Sequence, residues 1–374
     1  MVRIKINIKT ISLMVCFLYG ALTGFAQDDL LQIGNQAPPI KYSKWVKGEP
    51  INEFKDDKLY VMEFWATWCG PCIAAMPHLS ELAHKYEGKI SFVAVNVWEK
   101  IGNKPYESVI PTVSKFVEDL GEKMDFNVVI DNNDQFMSNE WLLKAGVTGI
   151  PSTFLIQKGK LIWIGHPKDL ESIINEVQNG TYDMNSTREE HLKSQKENLD
   201  KIEAYKKLMK PIDEAIAAED YEHAFKLMSD VVAKNPSQSY SLGMRQFKTR
   251  LEFISENNAM EYAKDWVAKD GSRYTMYIAQ TIADYEGLSK DTYAQAAIWF
   301  EPAAYREGTN PMIIDYLAKC YFLAGNYPQA VEEQKRALKA AKEALEGDRF
   351  TGIIVSSTVE DYQNKLKTYS DKLQ

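Results

Sequence analysis

Cys69 and Cys72 are separated by two residues in the stretch EFWATWCGPCIAAMP, between residues typical of a strand and residues typical of a helix. Such a pair can bind a metal ion, link two segments, or transfer electrons. A zinc site needs two further ligands, and the sequence has no second close pair, while His78 and His84 turn away around the following helix. Structural disulfides normally join distant residues, so the spacing favours electron transfer.

The predicted position of the pair, in the first turn of a helix, suits thiol chemistry. Free backbone N–H groups and the positive end of the helix dipole stabilise a thiolate on Cys69. Cys72 lies one turn further along and is expected to be more buried. We therefore expect Cys69 to attack a partner disulfide and Cys72 to resolve the resulting mixed disulfide.

Glu63 is the next candidate, because it interrupts the apolar strand YVMEFWA six residues before Cys69. Alternation along a strand places it on the same face as Val61 and Trp65. We expect this carboxyl group to be at least partly buried, with a raised pKa.

The elements that position these residues are predicted from β-rich runs that alternate with helical stretches up to about residue 180. Lys158 and Gly159 separate the last two runs as a short hairpin turn. Residues 99–125 are an apparent insert that we expect to add a helix beside the cysteines. The predicted strands are 58–66, 90–98, 127–131, 152–157 and 160–166.

Beyond about residue 180 the pattern becomes helical. Ser186 with Glu189, or Thr187 with Glu190, has the spacing of a capping box at the start of this region. Cys320 falls in an apolar helical stretch, where we expect a buried thiol.

A weak internal repeat also runs through the helical region, in which a tyrosine precedes an alanine by three residues. The last two copies are 34 residues apart, which is the tetratricopeptide period. Both a repeat-like architecture and an irregular helical bundle remain open. The pairs are Tyr221 and Ala224, Tyr293 and Ala296, and Tyr327 and Ala330.

The length, the N-terminal segment and the net charge of the chain indicate its domain number, its export and its class of partner. The chain of 374 residues exceeds one usual hydrophobic core, so we expect two domains. Residues 1–26 are first basic and then apolar, and are predicted to be an export signal. Cleavage of this signal would remove Cys16 from the mature chain. The formal charge of −8 argues against nucleic acid as a partner.

The stretch FWATWCGPC resembles the thioredoxin superfamily, and in particular its exported TlpA/ResA-like branch. Pro77 matches a proline that kinks the active-site helix in that family. The segment GVTGIPSTFLI supplies Ile150-Pro151, where the family has a cis-proline facing the cysteines. The resemblance implies an α/β thioredoxin fold in residues 27–180, with a central mixed sheet flanked by helices. An all-α, helical-repeat-like domain is expected in residues 181–374.

The resemblance also implies roles for individual residues. Glu63 matches a buried aspartate that moves protons for the second cysteine in thioredoxins. The TlpA/ResA-like branch often has a glutamate three residues after the second cysteine instead, and this sequence has Ala75 at that position. The cysteines are expected to form a disulfide, without metal or cofactor. The expected substrate-binding residues are Trp68, Gly70, Pro71, Ile150 and Pro151.

The Gly-Pro pair between the cysteines resembles the reducing members of the family. We therefore expect a periplasmic thiol:disulfide oxidoreductase that reduces or isomerises client disulfides and is kept reduced by a membrane thiol donor. The helical domain is a candidate site for a protein partner. The alternative is a helical interaction module for which the thioredoxin-like domain is a redox-responsive docking piece.

Overall fold

The computed structural model describes residues 30–101, 104–347, 349–350 and 353–373. The predicted export signal lies outside these residues. Within the described ranges no helix is both long enough and apolar enough to cross a membrane. The chain divides into two compact units, one containing residues up to Val113 with Asp125–Leu199, the other containing Ser114–Met124 with the chain after Leu199.

The first unit contains a mixed sheet, as the resemblance implied, and the sheet has six strands where the sequence predicted five. The strand order is β1-β4-β3-β2-β5-β6. Strands β2, β3 and β4 run parallel to one another, while β1, β5 and β6 are antiparallel to their neighbours. The strands are β1 (Lys44–Lys47), β2 (Leu59–Trp65), β3 (Ile90–Asn96), β4 (Asn127–Ile130), β5 (Ser152–Gln157) and β6 (Lys160–Gly165).

Strand β2 lies at the centre of the sheet, and all seven of its residues are buried. On one of its faces, Met62 and Phe64 belong to the main apolar core, with Trp141 and Phe154. Both faces of a central strand are covered in such a fold, which explains its nearly continuous apolar sequence. Strand β1 was not predicted, because its four residues, KWVK, form a short and largely polar edge strand.

Three helices follow from the same alternating pattern: α1 (Gly70–Lys85), α2 (Ile110–Leu120) and α3 (Leu170–Asn179). Helix α1 contains Pro77. Helix α2 confirms that the segment 99–125 carries a helix. Lys158 and Gly159, between β5 and β6, have φ of 52° and 68°, as the predicted two-residue hairpin turn requires.

Helix α4 (Met184–Ala217) begins earlier than the capping-box spacing indicated. Oδ1 of Asp183 accepts hydrogen bonds from the backbone N–H groups of Asn185 (3.0 Å) and Ser186 (3.1 Å). The predicted capping box is therefore wrong, because an aspartate outside the predicted pattern already satisfies these donors.

The second unit is built from helices, as predicted. Consecutive helices from α8 to α12 pack against each other. Ala224, Ala296 and Ala330 of the predicted repeat are fully buried. Repeat-like architecture itself stays a prediction. The helices are α5 (Tyr221–Lys234), α6 (Ser239–Thr249), α7 (Glu256–Asp270), α8 (Thr275–Asp284), α9 (Lys290–Ala304), α10 (Pro311–Ala324), α11 (Tyr327–Glu346) and α12 (Ser356–Ser370).

Cys320 lies in the core of this second unit, on α10, and is fully buried. Burial raises the pKa of its thiol to about 12. The prediction of a buried thiol is confirmed.

Candidate active site

The cysteine pair lies where β2 leads into α1. Cys69 is the N-cap of α1, and Cys72 lies in its first turn. Their sulfur atoms are bonded at 2.00 Å, and the backbone N–H of Cys72 donates to Sγ of Cys69 at 3.2 Å. Cys72 is completely buried and Cys69 is 3% exposed. The sulfur of Cys69 therefore faces the free N–H groups that favour a thiolate once the pair is reduced.

The Ile150-Pro151 peptide bond is cis, as predicted. It immediately precedes β5, the strand next to β2, and this places it opposite the cysteines. The carbonyl oxygen of Ile150 lies 3.7 Å from Sγ of Cys69. The structure thus brings together two segments that are 81 residues apart in the sequence.

Glu63 lies on β2, with Ala94 of β3 and Thr153 of β5 as its cross-strand neighbours. The side chain is 1% exposed. The hydroxyl of Thr153 donates a hydrogen bond to Oε2. Oε1 is buried and has no hydrogen-bond partner in the part of the chain that the structure describes.

This environment changes the acidity of Glu63. Burial raises the pKa of the carboxyl group to about 8, and the hydrogen bond from Thr153 lowers it only in part. The protonated and ionised forms are therefore both accessible near neutral pH, which is the property that a proton carrier needs. The expected burial of Glu63 is confirmed, and burial shifts its pKa in the expected direction.

A second carboxylate, Glu99, binds the segment just before Cys69 and was not identified from the sequence. Its Oε1 accepts hydrogen bonds from the backbone N–H of Thr67 (2.6 Å) and from Nδ2 of Asn96 (2.7 Å). Its Oε2 accepts a hydrogen bond from the Thr67 hydroxyl at 2.8 Å. Glu99 thus holds the loop that ends at Cys69. The one available signal was its place just after the carboxyl end of β3, beside the end of β2.

Trp68, one of the expected substrate-binding residues, is 48% exposed. Its indole N–H donates to the carbonyl oxygen of Trp98 at 2.8 Å. The indole N–H of Trp98 in turn donates to the Ser138 hydroxyl at 2.5 Å. The exposed ring beside Cys69 is therefore held in place from its polar edge, and its apolar face is left accessible.

The other expected binding residues also reach the surface around the sulfur atoms. Pro71 is exposed, while Gly70, Ile150 and Pro151 are partly exposed. Gly70 and Pro71 lie between the two cysteines in the chain, and Ile150 faces Cys69 across the site. This arrangement leaves an open surface around a nearly buried disulfide.

Comparison with known proteins gives the same picture. The thioredoxin family model matches residues 49–114. Thiol-disulfide oxidoreductase ResA of Geobacillus thermodenitrificans is 32% identical over 136 residues, which cover 36% of this chain and 68% of ResA. Protein FixW of Rhizobium leguminosarum is 26% identical over 156 residues, which cover 41% of this chain and 68% of FixW.

Among solved structures, StoA from Bacillus subtilis is similar, with 21% identity and a TM-score of 0.29. The match covers 37% of this chain and 98% of StoA. The likeness to ResA extends over more than two thirds of that protein, and the residues that the thioredoxin family model matches include the cysteine pair. The chain therefore belongs to the thioredoxin superfamily, within its ResA-like thiol-disulfide oxidoreductases.

Proposed function

We propose that the protein is a periplasmic thiol:disulfide oxidoreductase that reduces or isomerises disulfides of exported client proteins. The observation that carries this proposal is the placement of the Cys69–Cys72 pair at the start of α1, with the carbonyl oxygen of Ile150 3.7 Å from Sγ of Cys69. A backbone acceptor beside the attacking sulfur suits an extended client peptide.

The proposed reaction begins with the reduced dithiol. The Cys69 thiolate attacks one sulfur atom of the client disulfide, so the client S–S bond breaks, a mixed disulfide forms, and the released client thiolate takes up a proton. Cys72 then loses its proton, attacks Sγ of Cys69, and releases the second client thiolate. Two electrons pass to the client, and the protein is left with the Cys69–Cys72 disulfide. A membrane thiol donor would return the two electrons.

Glu63 is the proposed proton acceptor for Cys72. Its pKa of about 8 lies close to the operating pH, and its unpartnered Oε1 is free to accept a hydrogen bond. The proposed client contacts are Trp68, Gly70, Pro71, Ile150 and Pro151 around the disulfide.

The proposed organisation is an export signal at 1–26, a catalytic domain at 27–180 and a helical domain at 181–374. Support for a boundary at 180 comes from Gly180, which terminates α3 in a left-handed conformation with φ of 69°. The helical domain would bind a protein partner, for which its helix pairs give a suitable scaffold.

The test is a reduction potential combined with a trap. The Cys69–Cys72 pair is equilibrated with glutathione, and a Cys72→Ser variant is used to capture mixed disulfides in the periplasm. A reduction potential of about −270 mV, with clients bound to Cys69, supports a reductase. A reduction potential of about −120 mV indicates an oxidase. The other outcome is that the Cys72→Ser variant captures no client while the helical domain still binds a partner. In that case the alternative function, a helical interaction module with a redox-responsive docking domain, replaces this proposal.

A further inference from the structure

A cleft of about 440 Å³ opens in the first unit beside the loop that leads to Ile150. Its floor is formed by residues 145–149, and one wall by residues 163–165 at the end of β6, which is an edge strand of the sheet. Helix α4 forms the other wall. Gly149 is exposed, and a methyl group added to it would meet no atom within 4 Å. The cleft is thus open at the residue that precedes Ile150.

The wall formed by α4 is held firmly to the same unit. Nε2 of Gln195 donates to the carbonyl oxygens of Leu31 (3.0 Å) and Lys144 (2.8 Å). Nδ2 of Asn198 donates to the carbonyl oxygen of Gly146 at 3.2 Å. Because these bonds join the helix to the floor, the cleft is a preformed feature of the surface.

The polar groups of this wall are suited to a peptide. Nε2 of His191 is buried and has no hydrogen-bond partner among the described residues. Burial lowers the pKa of His191, which keeps the imidazole neutral at pH 7. Glu190 is exposed on the same wall and supplies a carboxylate.

We propose that this cleft binds the segment of a client polypeptide that flanks the target cysteine. The inference rests on the proposed function and adds a recognition site to it. When the client cysteine lies at Cys69, the client chain pairs beside Ile150. It then continues over Thr148 and Gly149 into the cleft. Glu190, which is exposed on the wall formed by α4, favours a basic side chain in the client segment.

The first experiment compares two probes. One is N-acetylcysteine amide and the other is a peptide with about three residues on each side of its cysteine, including lysine; both carry thionitrobenzoate on the cysteine sulfur. The reduced protein releases coloured thionitrobenzoate from each. We expect the peptide to react at least about tenfold faster than the short probe. Ser194→Trp, which places a ring in the cleft, should abolish this advantage without changing the rate with the short probe.

The matched control is Lys193→Trp, which adds the same ring one position away, at an exposed residue outside the cleft. This variant should keep the full advantage of the peptide. If Ser194→Trp keeps it as well, or slows both probes equally, the inference is overturned. If the wild-type protein releases no thionitrobenzoate from the short probe, the proposed function fails instead.

A charge exchange tests the same site without adding bulk. Glu190→Lys should lose the preference for the lysine peptide and prefer a matched peptide with glutamate in place of lysine. An unchanged preference would overturn the role of Glu190 even if Ser194→Trp did not fold.

Discussion

The hydroxyl of Thr153 donates a hydrogen bond to one oxygen of Glu63, while the other oxygen of that carboxyl group has no partner among the described residues. The two residues face each other across the central strands β2 and β5. One oxygen is thus anchored and the other remains available. This is the geometry expected of a group that accepts and returns a proton at a fixed position.

Replacing Glu63 with glutamine keeps the shape of the side chain and removes its proton chemistry. We expect Glu63→Gln to slow the release of the second client thiol by roughly 100-fold at pH 8, within the usual range for general acid–base catalysis. In the wild-type protein the rate should rise as the carboxyl group ionises up to about pH 8. Stopped-flow measurement of that single step gives both values. The exposed Glu81→Gln on α1 is the control, and an unchanged rate in Glu63→Gln would exclude Glu63 as the proton acceptor.

The same residue should make folding stability depend on pH. The pKa of Glu63 is about 8 when folded, against an ordinary value of 4.5. Between these values the folded chain holds a proton that the unfolded chain has lost, so the free energy of unfolding falls as pH rises. The full difference corresponds to roughly 5 kcal/mol.

Urea unfolding of the oxidised protein at pH 5 and pH 8 measures this effect. Glu63→Gln should gain stability relative to the wild-type protein on going from pH 5 to pH 8. Comparing the two proteins cancels contributions from other groups, such as Asp131, whose pKa is also raised by burial. Parallel pH profiles for the two proteins would contradict the prediction.

Glu99 should tune the redox properties of the pair. Its carboxylate accepts two hydrogen bonds from Thr67, two residues before Cys69, and places a negative charge near the attacking sulfur. Removing the charge with Glu99→Gln should stabilise the Cys69 thiolate and make the reduction potential less negative by about 20–30 mV. Equilibration with glutathione measures the shift. The exposed Glu107→Gln should leave the potential unchanged, and a shift to more negative values in Glu99→Gln would refute this role.

Gly146 provides a test of the contact between α4 and the floor of the cleft. It has φ of 69°, and an added Cβ would lie 2.9 Å from Cγ of Gln195. We expect Gly146→Ala to lower the free energy of unfolding by about 2–3 kcal/mol, through backbone strain and overpacking together. Gly88→Ala is the control, because Gly88 has φ of 76° but open space around it. It should lose only about 1 kcal/mol, and equal losses would show that the contact with Gln195 is unimportant.

Much of the site was predictable because its signals are local. The spacing of Cys69 and Cys72, the Ile150-Pro151 step and the buried position of Glu63 each follow from a few consecutive residues. Glu99 could not be assigned in this way, because its role depends on hydrogen bonds to Thr67, 32 residues earlier in the sequence. The start of α4 was missed for a different reason, since Asp183 competes with an equally plausible capping pattern a few residues later.

The burial of Cys320 limits the disulfides that the folded protein can form. A thiol with a pKa of about 12 inside an apolar core supplies almost no thiolate for exchange near neutral pH. Among the described cysteines, only Cys69 and Cys72 remain reactive. Each catalytic cycle therefore carries two electrons through the Cys69–Cys72 pair, and the sulfur atom of Cys320 cannot divert a mixed disulfide into a trapped, wrongly paired form.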